Sequence, residues 1–514
     1  MRILTRLCAV IAVLLGVLLA LASCVMPAQE PLRTQPAFQP GSSAAQPQPT
    51  EAMFLPFIRR VDDPTIMTPT PDAVRELPGL RTEEDYYVVQ VGDTLGNVAR
   101  RYGVSLSALI ERNELTNPDL LSVGQELVIP VPEPGGRGPG FKVIPDSELV
   151  YGPNSADFDI EGFVEAQDGY LARYHDDVEG QTLSGAEVVE RVANEFSVNP
   201  RLLLAVLEYQ SGWLRQSNPD KDTLDQPLGN RDYWRKGLYL QLAWAANNLN
   251  RGFYQWRVNA VGSWVLTDGM TVPIDPTINA GTAGVQSYYA LLYDRPGWEQ
   301  AVTQNGLFAV YASLFGYPFD YTVEPLMPEA FTQPPMQLPF EDETEWSFTG
   351  GPHGGWGDGS AWAGLDFAPP GEPMGCVVSE AWVAAVADGL VVRSENGSVV
   401  QDLDGDGIEQ TGWTVLYLHI DQYQRVQEGT YLRAGERLGH PSCEGGYSTG
   451  THLHLARRYN GEWIPADQAA WSFVLDGWSS TGTGVEYDGF LTRDDGQSIE
   501  AWNGRFDVNQ ISRP

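Results

Sequence analysis

Basic side chains are scarce in this chain of 514 residues: 32 Lys and Arg stand against 67 Asp and Glu, a formal net charge of −35. That imbalance argues against general affinity for nucleic acid, whose phosphates are neutralised by clustered Lys and Arg. It also argues against adhesion to anionic lipid through a basic patch. Cysteine is rarer still, and Cys8, Cys24, Cys376 and Cys443 are too few for a disulfide-stapled scaffold or a thiolate zinc cluster. Histidine occurs six times, five of them after residue 350, so any imidazole chemistry belongs to the last third of the chain. What is present is globular material. Hydrophobic residues make up 42% and charged residues 19%, and at roughly 100–200 residues per domain the length suits two to four domains.

Arg2 and Arg6 precede an apolar run, Leu7 to Ala22, that ends in small residues. A positive start, an apolar core and a small-residue end describe a secretory signal, and the run is short for a membrane span, which needs about 20 apolar residues. The ending Leu21-Ala22-Ser23-Cys24 resembles the bacterial lipobox. The resemblance implies a lipoprotein signal peptide over 1–24, lipid on Cys24, and an extracytoplasmic protein anchored to the membrane at the bacterial cell surface. Cys8 leaves with the signal, so Cys376 and Cys443 remain as one pair in an oxidising compartment, where a disulfide is expected. Residues 25–85, rich in Pro, Gln, Thr, Ser and Ala, bury too little to fold and are expected to form a flexible stalk.

Residues 86–131 have the pattern of a small folded module. Tyr86 to Val91 has strand character, and Gly92-Asp93-Thr94 offers a turn and a helix cap. Leu95, Val98, Ala99 and Tyr102 follow on one helical face, Gly103 closes that helix, Ser105 caps a second, and Glu126 to Ile129 is a return strand. This order, with Tyr87-Val-Val-Gln-Val-Gly-Asp-Thr-Leu95 and Asn117-Pro-Asp-Leu-Leu-Ser-Val-Gly-Gln125, resembles the LysM module. The resemblance implies a small α/β fold that binds N-acetylglucosamine-containing glycan through Gly92, Asp93, Thr94, Leu95, Asn117, Pro118 and Leu120. Turn chemistry and core packing account equally well for about half of these.

A glycine-rich stretch, Gly135 to Gly140, marks a linker over 132–149. Residues 150–335 are mostly helical in pattern. Val188, Val192, Ala193 and Phe196 share a face, and Asn199-Pro200 provides a cap and first-turn proline for the next helix. The segment Val198 to Gly212 resembles the signature of lysozyme-like lytic transglycosylases, in which the residue before Ser-Gly is the catalytic glutamate. Here that residue is Gln210, and an amide has no proton to give a departing sugar oxygen. Glu208 lies about 200° away around the helix. The resemblance therefore implies a lysozyme-like domain without catalysis, and Asn279-Ala-Gly-Thr-Ala-Gly284 is a faint echo of the same family.

From 336 to 514 the chain turns to short β-branched and aromatic runs among glycines, the pattern of an antiparallel β domain, with residues 472–514 as its extension. Thr449-Gly-Thr-His-Leu-His454 is its strongest feature, because residues i and i+2 of a strand face one way and bring His452 and His454 together. His419 follows a β-rich run, His353 sits in a glycine-rich loop, and Asp366 lies in Gly364-Leu-Asp-Phe-Ala. Two imidazoles and a carboxylate make a zinc set with a fourth position left for water. These residues resemble the lysostaphin-like zinc endopeptidases of peptidoglycan. The resemblance implies His353, Asp366 and His454 as metal ligands, and His452 and His419 as catalytic histidines. Trp362 stands where most of that family has its first ligand. The longer spacing from His353 to Asp366, with Ser442-Cys-Glu-Gly-Gly-Tyr-Ser-Thr-Gly450, resembles the beta-lytic branch. Cys376 and Cys443 would then brace the site, while His440 has no partner in the pattern and is expected at the surface or behind the site. Asp402-Leu-Asp404-Gly-Asp406-Gly407 resembles the start of a calcium loop, although Trp413 occupies its twelfth position.

The expected protein is a multidomain cell-wall zinc endopeptidase with peptidoglycan, both glycan and peptide stems, and the membrane as partners and no nucleic acid. The alternatives are a non-catalytic peptidoglycan-binding regulatory lipoprotein and a lytic transglycosylase working through the middle domain.

Overall fold

The computed structural model describes residues 69–90, 93–328, 330–371 and 375–513. The signal segment with Cys8 and Cys24, most of the stalk, and Gly92 lie outside the described residues. Among the described residues no helix is long and apolar enough to cross a membrane. They form two compact units, one over Arg81–Glu133 and one that takes in residues 69–80 and the chain from Pro134 onward.

In the first unit β1 (Asp85–Val88) pairs antiparallel with β2 (Glu126–Ile129), and α1 (Leu95–Tyr102) and α2 (Leu106–Arg112) lie between them in sequence. The caps are local. Thr94 accepts the Asn97 N–H, Ser105 accepts the Ala108 N–H, and Gly103 leaves α1 through a left-handed φ of 63°. Leu95, Val98, Ala99, Leu109, Leu127 and Ile129 close a single small core.

The second unit begins with a helical domain. Its helices are α3 (Ile160–Gln167), α4 (Gly185–Phe196), α5 (Pro200–Ser211), α6 (Leu238–Arg257), α7 (Ala280–Ala290), α8 (Arg295–Ala301) and α9 (Leu307–Phe315). Its hairpins are β3 (His175–Val178) with β4 (Gln181–Ser184), and β5 (Ser263–Val265) with β6 (Thr271–Pro273). Ser184 and Glu187 form a capping box on α4, and Asn199 caps α5 just before Pro200. The small-residue run at 279–284 does a packing job. A Cβ on Gly284 would stand 2.7 Å from the Leu249 carbonyl oxygen, and one on Gly252 would stand 2.6 Å from that of Ala283, so α6 and α7 approach backbone to backbone.

Two stretches expected to be free are folded onto this domain. Val143, Ile144 and Leu149, within the expected linker 132–149, are fully buried in its core, and Gly135 and Gly138 donate their N–H groups to Thr271 and Pro273 along β6. The end of the expected stalk is also docked. Asp72 and Arg75 donate N–H groups to the Thr277 and Pro276 carbonyls, and Arg75 lies over the Trp256 ring at 5.1 Å. Backbone donors and a cation–π contact hold these polar segments where side-chain periodicity carries no signal.

The remainder is an antiparallel sheet domain. Its strands are β7 (Glu345–His353), β8 (Gly364–Ala368), β9 (Val383–Ala384), β10 (Gly389–Glu395), β11 (Ser398–Asp402), β12 (Trp413–Leu418), β13 (Tyr431–Leu432), β14 (Arg437–Gly439), β15 (Leu453–Tyr459), β16 (Glu462–Trp463), β17 (Val474–Leu475), β18 (Trp478–Gly482), β19 (Gly489–Thr492), β20 (Ser498–Glu500) and β21 (Gln510–Ser512). The main sheet runs β13-β10-β11-β12-β15-β8-β7-β21, with β16 on β15, while β17 to β20 form a second, four-stranded sheet and β9 pairs with β14. Alternation along β15 gives the sheet two jobs. Leu453 and Leu455 enter the core of the sheet domain itself. On the other face, Ala456 joins Val400, Leu416, Leu418 and Trp463 against the helical domain.

Cys376 and Cys443 are disulfide-bonded, closing 67 residues of separation. In the chain-entropy account a loop of that size contributes up to about 4 kcal/mol. Replacing both cysteines by serine is expected to lower the unfolding free energy by about 2–4 kcal/mol; urea unfolding of the full chain measures it.

Candidate metal centre

Register builds the site. On β15, His454 is paired across one side with Asp366 of β8 and across the other with Leu418 of β12. His353 ends β7 opposite Gly364, after two register shifts that follow Phe348 and Gly350. These irregularities turn the end of β7 so that a residue distant from Asp366 in sequence reaches it in space.

His353 Nε2 lies 2.9 Å from His454 Nδ1 and 3.2 Å from Asp366 Oδ1, and His454 Nδ1 lies 3.1 Å from the same carboxylate oxygen. All three residues are buried. The other nitrogen of each imidazole is already engaged: His353 Nδ1 with the Gly351 carbonyl at 2.8 Å and His454 Nε2 with the Gly355 carbonyl at 3.0 Å. Carbonyls only accept, so each ring places its proton there, and two lone pairs and a carboxylate oxygen face one another. This donor set suits a cation, with the second-partner hydrogen bonds that orient ligating imidazoles.

His452 lies one residue before β15, bridged to Ser442, with Nε2 3.6 Å from Asp366 Oδ1 and Nδ1 2.8 Å from the Gly450 carbonyl. His419 follows β12, its ring centroid 4.5 Å from that of His452 and its Nδ1 3.1 Å from the Glu444 carbonyl. Both rings thus give their proton to backbone and leave Nε2 bare. Burial, then the His452 and His454 imidazoles, push His419 down to about 3, so it is neutral at ordinary pH. Burial likewise lowers His454. Burial alone would raise Asp366, yet His353 and His452 beside it hold its carboxyl well below the usual range.

Sequence reasoning missed Tyr487. Its ring stacks on His353 at 4.2 Å from a loop between β18 and β19, held by the Gly351 N–H to the Tyr487 carbonyl at 2.8 Å. No motif marks it, because a lone aromatic among Gly and Asp is a common surface pattern. Tyr487 and His419 share left-handed backbone, at φ 67° and 68°. Such conformations cost side-chain-bearing residues of order 1–3 kcal/mol and gather at functional sites.

Other expected residues are placed elsewhere. His440 is buried behind the site rather than at the surface, with Nδ1 2.9 Å from the Ala381 carbonyl, Nε2 3.0 Å from Gln424 Oε1, and its ring against Trp382. Gln210 Oε1 accepts the Tyr293 hydroxyl at 2.8 Å, while Glu208 is buried and accepts the Leu214 N–H at 3.0 Å. Asp402, Asp404 and Asp406 lie close enough to share a cation, but Asp402 also accepts the Asp404, Gly405 and Gly407 N–H groups, so the turn closes on its own backbone. In the first unit, Leu95 is in the core, Thr94 is a helix cap, and Asp93 accepts the Tyr87 hydroxyl at 2.6 Å and the Gln90 N–H at 2.7 Å. Asn117 and Leu120 are exposed and Pro118 half-buried.

An antiparallel sheet that converges two imidazoles and a carboxylate, with two further histidines alongside, defines a metalloendopeptidase, and the comparisons agree. Residues 361–465 match Peptidase family M23, residues 142–327 match the LasA N-terminal domain, and residues 87–130 match the LysM domain. Protease LasA of Pseudomonas aeruginosa is 27% identical over 340 residues, covering 63% of this chain and 75% of that protein. The beta-lytic metalloendopeptidase of Achromobacter lyticus is 28% identical over 161 residues, 30% of this chain and 40% of that one. Among solved structures, the M23 metalloprotease pseudoalterin from the deep sea aligns over 35% of this chain and 100% of its own, at 22% identity and a TM-score of 0.28.

Metal analysis of the purified full chain is expected to find about one zinc per chain, and His353→Ala or His454→Ala to reduce affinity by at least about 100-fold, given the tight binding of three-ligand sites. Stoichiometric zinc in both variants would show that the cluster is not the metal site.

Proposed function

We propose that the chain is a cell-wall-bound zinc endopeptidase that hydrolyses peptide bonds of peptidoglycan. The observation that carries this reading is the donor set: His353 Nε2, His454 Nδ1 and Asp366 Oδ1 lie 2.9–3.2 Å apart, with both imidazole protons held by backbone carbonyls. Zinc, when bound there, supplies Lewis acidity that polarises a carbonyl and acidifies water toward a pKa of about 7. The protein's own groups do the rest. His452 and His419 each engage a backbone carbonyl through Nδ1, so a water between them finds an Nε2 acceptor for each of its protons. His452, nearer Asp366, takes the proton as the water oxygen bonds to the carbonyl carbon, and passes it to the amine as the C–N bond breaks. Tyr487, its ring stacked on His353, keeps its phenolic proton at ordinary pH beside the Asp366 and Glu486 carboxylates. It stands over His353 as a donor for the developing oxyanion.

The LysM unit supplies residence on the wall. Its glycan contacts are proposed at Gly92, Asp93, Thr94, Leu95, Asn117, Pro118 and Leu120, and the exposed Leu120 and the exposed Asn117, whose Oδ1 accepts the Asp119 N–H while its Nδ2 remains a donor, carry the weight. The lipobox-like ending at Cys24 supports a lipid anchor. The middle domain, lysozyme-like in its α5 signature, is proposed to be non-catalytic, since Gln210 carries an amide and Glu208 braces backbone. These placements argue against the transglycosylase alternative. The complete His and Asp set argues against a purely binding protein. Calcium has no part in this reading.

Mass spectrometry of digested peptidoglycan tests the reaction class. New free amino termini are expected, whereas anhydro-sugar ends would sink the peptidase reading. His452→Ala is expected to lower kcat by about 10²–10⁴ with zinc retained, measured by turnover together with metal content. Deleting residues 86–131 is expected to raise KM on intact sacculi by about tenfold or more, through lost effective concentration. Turnover of a soluble peptide by the same deletion is expected to be unchanged.

A further inference from the structure

His353 and Asp366 are joined by a segment that reads Gly354-Gly-Trp-Gly-Asp-Gly-Ser360 at its start, four glycines in seven residues. Such a stretch loses more conformational freedom on ordering than any other composition, so something must hold it. It matters to the site because the Gly355 carbonyl takes the His454 Nε2 proton, leaving Nδ1 bare toward the metal position. The segment is held partly from within, where Ser360 Oγ donates to the Gly357 carbonyl at 3.2 Å, and partly by Glu486 on the Gly354 backbone. Trp356 donates its N–H to Ser360 Oγ, and Gly355 donates to the Ala361 carbonyl.

Further grip comes from α6 of the helical domain. Asn247 uses both ends of its amide, Oδ1 accepting the Gly359 N–H at 2.9 Å and Nδ2 donating to Asp358 Oδ1 at 2.7 Å. Arg251, one turn on and on the same helical face, pairs with Asp358 at 2.7 Å. A Cβ on Gly359 would collide with the Asn247 carbonyl oxygen, so the strap lies directly on the helix backbone. Phe196 of α4 packs edge-on to Trp356 and accepts the Trp463 indole N–H through its carbonyl. Asp358 is half exposed, so the ion pair is screened and the two amide hydrogen bonds carry more of the effect.

We infer that Asn247 and Arg251 are positioning residues for the metal centre, acting through the 354–360 strap and the Gly355 carbonyl, so that the helical domain is a working part of the peptidase. This rests on the zinc endopeptidase reading. Neither residue touches the ligands, and neither contact is signalled by any motif in the sequence.

The test uses the full-length chain loaded with zinc, and with cobalt as a spectroscopic probe. Asn247→Ala is expected to speed metal release to a chelator and lower kcat, each by about 10–100-fold, the range for groups that orient ligands, with KM unchanged. The cobalt absorption bands are expected to shift while the urea midpoint stays near that of the unaltered chain. Asn247→Asp is expected to be worse, because it sets a carboxylate against Asp358. Combining it with Asp358→Asn moves the amide across the contact and is expected to recover most of the loss. Release rates, cobalt spectrum and kcat equal to those of the unaltered chain in Asn247→Ala and Asn247→Asp would overturn the inference. So would losses that the double variant fails to recover. An unaltered chain that binds no zinc would instead overturn the metallopeptidase reading, and this inference with it.

Discussion

The structure turns on one electrostatic constraint. Two imidazole nitrogens and a carboxylate oxygen are brought to about 3 Å from one another inside the protein, while the opposite nitrogen of each ring is held by the Gly351 or the Gly355 carbonyl. Buried electron-rich atoms so arranged are costly unless a cation joins them. Holding them requires the pairing of β15 with β8, which sets His454 across from Asp366. A slip of one residue would turn His454 to the opposite face of the sheet and bring Leu453 or Leu455 in its place.

The two faces of that sheet serve different neighbours. One face closes the core of the sheet domain with Leu453, Leu455, Val415 and Tyr417. The other carries the His353, Asp366 and His454 cluster near one end and meets the helical domain elsewhere, through Leu416, Ala456 and Trp463. Polar contacts reinforce this junction. Tyr254 of α6 accepts the Trp463 N–H at 2.9 Å, Arg257 pairs with Glu462 at 2.8 Å, and Ser197 donates to the Gly461 carbonyl at 2.7 Å. One face of the peptidase sheet therefore belongs to the core of the helical domain, while the other closes a core of its own.

The charge and cysteine content acquire a place in this arrangement. The disulfide joins Cys376 to Cys443 in the segment that precedes His452, where the Thr451 hydroxyl contacts both the Gly375 and Val377 carbonyls. Glu444, one residue past Cys443, supplies through its backbone carbonyl the acceptor that fixes His419. One covalent link thus steadies the segment that carries both non-ligand histidines' partners. The ligand set holds one carboxylate, Asp366, flanked by imidazoles, and Glu486 acts on His353 from nearby.

How much was legible depends on the range of the interactions involved. The Thr94 and Ser105 caps, the Asn199-Pro200 start of α5 and the convergence of His452 with His454 follow from neighbours within a few residues, so the sequence alone determined them. The strand, helix, helix, strand order of the first unit was legible for the same reason. The identities of His353, Asp366 and His419 as members of one site came through resemblance of motifs. Their meeting at about 3 Å was decided only by register and by the irregular end of β7. Packing across long separations also decided that residues 69–80 and 134–149 lie on the helical domain, that His440 is buried, that Tyr487 covers His353, and that Asn247 grips the ligand strap. Composition and periodicity encode which residues must be buried. Only the closed tertiary structure brings the Gly355 carbonyl to His454 Nε2 and the Glu444 carbonyl to His419 Nδ1, and so decides which nitrogen of each ring faces the cluster.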